Sequence, residues 1–384
     1  MYAIPKNEYA ERIAKFQANL QAAGLDAALV HGNEADFANV RYLSEYWPTF
    51  EAAAVFVPAK GKPVLVIGPE SEKYARGRSV IPDICLMLEY RESAEPNYPG
   101  IAVAHYPDVV ALSGCGPLRK LGIVSYSITP LPVVDALKRD LPGVELIKAD
   151  HLFLPLRFIK SDNELACMRR AFAISEIAVD AILNELKPGM TEFQVIGIAQ
   201  REIYQHGGEY EGHALYCFSG PRTNNAICRP THKTIQANEI IQLNIGARVA
   251  GYSSSVGLPL SIGKLPAPQK RLAEFGLQAH FKTIELMQAG KAAAAVVKEY
   301  ENWVKAQGFG QHMLYGPCHA IGMMEVEQPW MESTSTFDLA ENMTFQVDTF
   351  FSTDDFGLRW ENGVAVQKHG VEKMSSKFMR LIEL

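Results

Sequence analysis

The sequence has few cysteines, and their spacing argues against two common roles. Its 384 residues include six cysteines, at positions 85, 115, 167, 217, 228 and 318, and no two of them form a C-x-x-C pair. Zinc clips and the disulfide frameworks of small secreted domains both depend on cysteines at characteristic spacings. We therefore expect reduced thiols and predict a cytoplasmic protein.

Long apolar runs and concentrated positive charge are also missing. The first 24 residues are interrupted by Glu8, Glu11, Arg12 and Lys15, which is typical of an amphipathic helix and not of a signal peptide. No apolar run approaches the length that crosses a bilayer. The formal net charge is −6, without a basic stripe. We therefore expect neither a membrane nor nucleic acid as a partner.

The length and the order of elements predict two domains. A helix at 9–23, a strand at 27–30, a hairpin that turns at 60–62 and a strand from residue 121 indicate an α/β domain. Two long helical patterns, at 163–186 and 192–206, begin the larger part. We place the domains at 1–155 and 156–384, each long enough to bury its own core.

An internal repeat occurs within the second domain. The turns that end at Gly189 and Gly290 each precede a helical stretch that ends at another glycine, Gly207 or Gly308. Each interval from glycine to glycine covers 18 residues. Equal spacing after similar turns predicts two related halves in this domain.

Several short motifs follow one another in the second domain. After stretches at 156–164 and 188–192 come a strand-turn-strand segment at 243–255, a Gly-Pro-Cys-His-Ala-Ile-Gly turn at 316–322, a strand at 344–348 and a Leu-Arg-Trp-Glu-Asn segment at 358–362. This order resembles the creatinase/aminopeptidase P family. The resemblance implies an α/β (α+β) protein with a pita-bread catalytic domain, which has a pseudo-two-fold repeat, behind a smaller α/β domain.

Two positions depart from the pattern of that family. Asn244 and Ser255 stand where the resemblance places two aspartates that bind a pair of divalent ions. Such cations need anionic oxygen, and bridging carboxylates hold two of them close together. An amide and a hydroxyl are neutral, so we predict a degenerate metal site without a dinuclear centre.

Three of the family's five ligand positions keep a side chain that could bind a metal, namely His319, Asp348 and Glu361. One imidazole and two carboxylates can hold a single transition metal. Creatinase, which this chain resembles, keeps a similar trio and works without metal. We expect no cofactor, and one divalent ion bound by these three residues is the alternative.

The residues that would move protons also differ from the family pattern. Ile227 occupies the position of a histidine that serves the family as a base or substrate contact. We predict that His319, Asp348 and Glu361 carry the chemistry and that His319 transfers protons. Glu327 stands where the peptidases have a second histidine, so it is a candidate base, although a solvated residue at the rim fits equally well.

Further residues are candidates for binding the substrate. Two arginines flank the loop before the strand-turn-strand segment and could hold a carboxylate. Aromatic walls with a few acids suit an organic cation instead. The full set comprises Arg222, Arg229, Asn244, Ser255, Phe50, Trp330 and Trp360.

Together these features predict a homodimeric hydrolase that cleaves a C–N bond in a small nitrogen-rich or cationic metabolite without metal, in the manner of creatinase or ectoine hydrolase. One alternative is an Xaa-Pro dipeptidase or aminopeptidase with a mononuclear metal site. Another is a module that keeps the fold and binds a ligand or peptide without catalysis.

Overall fold

The protein is described here by a computed structural model that covers residues 2–384. The chain forms two compact units, one from Ile4–Arg157 and the other built mainly from Phe158–Leu384. The domain boundary predicted at 155/156 stays a prediction. Within the described residues, no helix is both long and apolar enough to span a bilayer.

The first unit contains one sheet with mixed strand directions. Its helices are α1 (Lys6–Ala22), α2 (Ala38–Ser44), α3 (Glu72–Arg78), α4 (Tyr106–Ser113), α5 (Leu131–Asp140) and α6 (Asp150–Phe153). Its strands are β1 (Ala27–Gly32), β2 (Ala53–Pro58), β3 (Val64–Ile67), β4 (Ile84–Leu86), β5 (Lys120–Val124) and β6 (Glu145–Lys148), in the spatial order β4-β3-β2-β1-β5-β6. The hairpin β2–β3 is antiparallel and turns through Gly61, whose φ of 130° suits glycine.

The second unit contains a large curved sheet, a small sheet and four long helices. The helices are α7 (Asp162–Glu185), α8 (Glu192–Gln205), α9 (Ala267–Leu286) and α10 (Ala293–Ala306). The strands are β7 (Tyr210–Glu211), β8 (Tyr216–Ser219), β9 (Ile240–Ile245), β10 (Ala247–Val249), β11 (Tyr252–Ser253), β12 (Val256–Ser261), β13 (Cys318–Ala320), β14 (Glu327–Met331), β15 (Thr344–Ser352), β16 (Gly357–Val366), β17 (Val371–Lys373) and β18 (Ile382–Glu383). The large sheet runs β14-β13-β15-β16-β12-β9-β8, with β17 on β16 and β18 on β12, and the small sheet runs β11-β10-β7.

The predicted internal repeat is present in the backbone. Both α8 and α10 have 14 residues and begin three residues after a glycine with positive φ, Gly189 at 93° and Gly290 at 84°. Each glycine N–H donates to a carbonyl in a distant loop, Ile235 for the first and Leu339 for the second. The two halves therefore share the length of their second helix, the turn before it and the way that turn is tied to the rest of the domain.

The large sheet has two different faces because neighbouring side chains in a strand point to opposite sides. On the helix side, the Trp360 indole is buried and donates to the Ala273 carbonyl of α9 at 2.8 Å. Gly276 in α9 leaves room for this packing, since a Cβ there would lie 3.1 Å from Trp360 Cδ1. Glu361, the next residue in β16, consequently points to the other face, where polar groups collect.

Candidate active site

The polar face is organised by a cross-strand row through four neighbouring strands. Asn244 of β9 lies opposite Gly257 of β12, Gly257 lies opposite Glu361 of β16, and Glu361 lies opposite Asp348 of β15. A Cβ on Gly257 would lie 2.5 Å from Asn244 Nδ2 and 2.6 Å from Glu361 Cβ. The missing side chain at Gly257 therefore lets Asn244 reach Glu361 across an intervening strand.

Glu361 is the central group of the site. Its carboxyl is almost fully buried, and its Oε2 accepts hydrogen bonds from the Asn244 amide and from the Ser255 hydroxyl, the latter at 3.1 Å. The two positions predicted to have lost metal-binding carboxylates thus contact Glu361. Both direct the positive end of an N–H or O–H bond toward its oxygen, whereas a bridging carboxylate would direct negative charge into the site.

His319 approaches Glu361 from β13. Its Nδ1 lies 3.0 Å from the Ala320 carbonyl, and because a carbonyl oxygen only accepts, Nδ1 is the protonated nitrogen of the neutral ring. The lone pair is then on Nε2, which lies 3.9 Å from Glu361 Oε1. Ligand atoms of His319, Asp348 and Glu361 all lie within 4.8 Å of one another, so the predicted trio is assembled.

Asp348 is held by two partners. The Arg359 guanidinium forms an ion pair with it, with Nε 3.0 Å from Oδ1, and the Tyr315 hydroxyl donates to Oδ2 at 2.8 Å. Arg359 Nη2 donates to the Tyr315 oxygen at 2.6 Å, which closes the network. Removal from water and the negative charge of Asp348 raise the pKa of Tyr315 well above its usual value. Arg359 therefore neutralises Asp348, and not its closer sequence neighbour Glu361.

Glu325 is a site residue that the sequence did not single out. Its Oε1 lies 3.7 Å from His319 Nε2, and its carboxyl lies close enough to that of Glu361 for the two to influence each other's pKa. Burial, followed by the charge of Glu325, raises the pKa of Glu361 well above its usual value, and burial raises the pKa of Glu325. Two neighbouring carboxyl groups removed from water favour a state in which one of them keeps its proton.

The charges around Glu361 do not balance. The described residues of the site contribute three carboxyl groups, Glu325, Asp348 and Glu361, whereas Arg359 is the cation paired with one of them. A buried acid that is not paired is either protonated or compensated by a bound positive charge. The arrangement therefore suits a cationic ligand.

Two predicted site residues have surroundings that the sequence did not indicate. Glu327 forms an ion pair with Lys160 at 3.1 Å, and only 7% of its side chain is exposed. The lysine pairs with its carboxylate, so Glu327 is not a solvated rim residue, and its role as a base stays a prediction. Trp360 is a core residue on the helix side of β16 and cannot line the pocket, because the alternation of the strand assigns that face to Arg359 and Glu361.

The remaining candidates have varied surroundings. Trp330 borders the site, with its ring 5.1 Å from that of His319. Arg222 forms an ion pair with the buried Glu192 at 3.4 Å and donates to the Arg229 carbonyl, so its guanidinium is largely engaged. Ile227 is 85% exposed, and Phe50, in the other compact unit, is 83% exposed. Substrate contacts by Arg222, Arg229 and Phe50 stay predictions.

Comparison with known proteins supports the family assignment along almost the whole chain. Residues 166–368 match the model of metallopeptidase family M24, and residues 12–159 match the creatinase/prolidase N-terminal domain. The chain is 24% identical over 378 residues to an Xaa-Pro dipeptidase of Pyrococcus horikoshii, covering 98% of this chain and 99% of the relative. It is 22% identical over 362 residues to a putative dipeptidase of Bacillus subtilis, covering 94% and 96%.

Solved structures show the same fold. The prolidase of Pyrococcus horikoshii OT3 superposes with a TM-score of 0.82 at 20% identity, over 95% of this chain and 98% of that one. An X-Pro aminopeptidase of Thermotoga maritima gives a TM-score of 0.83 at 18% identity, over 97% and 99%. The predicted pita-bread fold and the predicted membership in a family of hydrolases are thereby confirmed. Since a single family model matches more than half of its 384 residues, the chain belongs to metallopeptidase family M24 and carries a creatinase/prolidase N-terminal domain.

Proposed function

We propose that this protein is a hydrolase that cleaves a C–N bond in a small molecule with a nitrogen-centred positive charge, and that it does so without a dinuclear metal centre. One observation carries the proposal. Asn244 and Ser255 both donate hydrogen bonds to Oε2 of Glu361, so they direct hydrogen atoms and not anionic oxygen toward the place where metal ions would bind.

A pair of metal ions does not fit these residues. Two adjacent cations repel each other strongly unless anionic ligands lie between them. Asn244 and Ser255 supply no charge, and the dipoles of their N–H and O–H groups oppose a cation at Glu361 Oε2. Although the chain belongs to a metallopeptidase family, its residues do not suit a pair of metal ions.

The residues themselves account for binding and proton movement. Glu361 and Glu325 would face the cationic centre, and because both pKa values are raised, a proton held by either acid would leave when a positive charge arrives. The lone pair of His319 Nε2, which lies close to both acids, would accept and return a proton. Arg359 and Tyr315 fix Asp348, and Trp330 covers the imidazole.

The proposal is tested by a hydrolysis screen in two states of the protein. Creatine, ectoine, guanidino acids and Xaa-Pro dipeptides would be offered to chelator-treated protein and to the same protein supplied with Mn²⁺, Zn²⁺ or Co²⁺. We expect turnover of a cationic C–N substrate that survives chelation. Turnover that appears only with metal and only on Xaa-Pro dipeptides would overturn the proposal.

A second candidate function is an Xaa-Pro dipeptidase with one metal ion. It is favoured by the similarity to the Xaa-Pro dipeptidase of Pyrococcus horikoshii and by the imidazole and two carboxylates that lie within 4.8 Å of one another. That donor set suits a single divalent ion, which would polarise a carbonyl or activate water when bound. Asp348 already has an ion pair with Arg359 and a hydrogen bond from Tyr315, so an ion would share this carboxylate with both of them.

We further propose that the protein works as a homodimer on a small-molecule substrate, as its family resemblance implies. Sedimentation velocity at micromolar concentration checks the first part. A monomer that retains full turnover would contradict it.

A further inference from the structure

A second histidine, His213, lies beside the site and has no part in the proposed proton transfer. His213 follows β7, and its Nδ1 lies 2.7 Å from the Ala214 carbonyl. A carbonyl oxygen can only accept, so Nδ1 of the neutral ring carries the hydrogen and Nε2 carries the lone pair. Nε2 is shielded from solvent and has no hydrogen-bond partner among residues 2–384.

The contacts of His213 place it next to the catalytic row. Its ring lies 5.6 Å from that of Tyr216, which is the Cα partner of Asn244 in the β8–β9 pairing. The Arg359 guanidinium lies 5.9 Å from the centre of the same Tyr216 ring. A Cβ on Gly246, two residues after Asn244, would lie 3.0 Å from His213 Nε2. Burial lowers the pKa of His213, and the charge of Glu361 acts on it in the opposite sense.

His213 and His319 have the same local arrangement. In both, the Nδ1–H donates to the carbonyl of the following alanine, so Nε2 of each neutral ring is an acceptor. Asn244 and Ser255 already donate to Glu361, and Tyr315 already donates to Asp348. The acceptors of this region are the two imidazole nitrogens and the carboxyl groups of Glu325 and Glu361.

We propose that His213 is a substrate-binding residue whose Nε2 accepts a hydrogen bond from an N–H of the substrate. This contact makes the site selective for cations that carry N–H groups, such as guanidinium, amidinium or protonated amines, over cations of equal charge without N–H. The inference rests on the proposed function and adds a residue and a substrate class to it. A cation without N–H groups would leave the buried Nε2 without a hydrogen bond, and this cost would make the cation bind more weakly.

The test compares matched cations by isothermal titration calorimetry. Guanidinoacetate and guanidinium chloride carry N–H groups, whereas glycine betaine and tetramethylammonium chloride do not. The wild type should prefer the first pair, and His213→Phe should weaken guanidinoacetate binding roughly tenfold or more, the usual effect of losing a hydrogen bond to a charged group. His213→Gln, which keeps an acceptor, should restore part of this loss.

Controls separate a binding role from a structural one. His105→Phe, on an imidazole that is 60% exposed in the other unit, should leave both affinities unchanged. In the wild type, the ¹⁵N signal of His213 Nε2 should have the position of an unprotonated nitrogen and shift when guanidinoacetate is added. A His213→Phe variant that melts like the wild type and binds guanidinoacetate equally well would overturn the inference.

The outcomes also separate this inference from the proposed function. If both kinds of cation bind the wild type equally and His213→Phe changes neither, the inference is wrong and the proposed function stands. If no cation binds the wild type and no C–N substrate is turned over, the proposed function fails and the inference fails with it.

Discussion

Glu361 contacts or lies near four other polar side chains of the site. One of its oxygens accepts from Asn244 and Ser255, and its carboxyl also meets Glu325 and lies near His319. This environment explains why burial and a neighbouring acid, and not an ion pair with Arg359, govern its protonation. A bound cation would take the place of a proton on these acids.

Neutralising the central groups should abolish turnover without unfolding the protein. We expect Glu361→Gln and His319→Asn each to reduce turnover of the identified substrate by roughly two orders of magnitude or more, the scale for losing a positioned acid or base. Glu332→Gln, an exposed residue, is the control and should be neutral. Loss of thermal stability with unchanged turnover in either variant would assign these residues a structural role.

Restoring the two missing carboxylates should restore metal affinity but not peptidase efficiency. In Asn244→Asp with Ser255→Asp, we expect tighter Mn²⁺ binding by calorimetry, because anionic oxygen returns beside Glu361. Without metal, the double variant should be less stable, since like charges are added to a buried site. Efficient Xaa-Pro cleavage would contradict the account, because Ile227 supplies no imidazole and Glu327 is held by Lys160.

At the scale of single residues, the sequence predicted the three side chains that the structure brings together on β13, β15 and β16. His319, Asp348 and Glu361 could be predicted because the motif order fixed their strands. Glu325 and His213 could not, since both lie in irregular segments whose side-chain directions no periodicity describes. A carboxylate three residues after Gly322 was the available signal for Glu325.

At the scale of elements, strand alternation explains the wrong prediction for Trp360. The aromatic cluster in the motifs suggested a pocket wall, but adjacent residues of β16 face opposite sides. Once Glu361 is assigned to the site, Trp360 must face α9. The same alternation correctly groups Asp348 with Phe350, whose ring stacks on Tyr315 at 6.0 Å.

The second residue of β12, Gly257, lies where no side chain fits. We expect Gly257→Ala to cost about 1–3 kcal/mol of unfolding free energy, a typical penalty for overpacking, and to lower activity by separating Asn244 from Glu361. Gly197→Ala in α8 is the matched control, because a Cβ there meets nothing within 4 Å. It should be neutral or stabilise by about 0.5–1 kcal/mol, as helical glycines do when replaced. Equal urea midpoints for the two variants would refute this assignment.

For the whole molecule, the order of motifs and the glycine spacing were enough to predict the fold and its repeat. What they could not predict is the pocket chemistry, because it depends on which loops bring Glu325, His213 and Tyr315 against the sheet. The homodimer and the cytoplasmic location stay predictions.

Stability should decline in acid between pH 6.5 and pH 4. Burial lowers the pKa of His31 to about 4. Burial also lowers the pKa of His280 to about 4, because it outweighs the opposing effect of the hydrogen bond with Asn362. The unfolded chain binds these protons near pH 6.5 and the folded chain only near pH 4, so stability is full above 6.5 and is lost as pH falls. Each ring accounts for a loss on the order of 3 kcal/mol.

Urea unfolding followed across this pH range checks the sign. His31→Gln should flatten the acid slope of the transition assigned to the first unit. An unchanged slope in His31→Gln, or stability that rises toward pH 4 in the wild type, would contradict the assignment.

The most direct test of the central claim is the metal stoichiometry of the purified protein. The protein would be saturated with Mn²⁺, Zn²⁺ or Co²⁺ in turn, dialysed, and analysed by inductively coupled plasma mass spectrometry. Because Asn244 and Ser255 provide no anionic bridge, we predict fewer than two retained ions per chain for every metal. Two equivalents of any of these metals, retained through dialysis, would contradict the account.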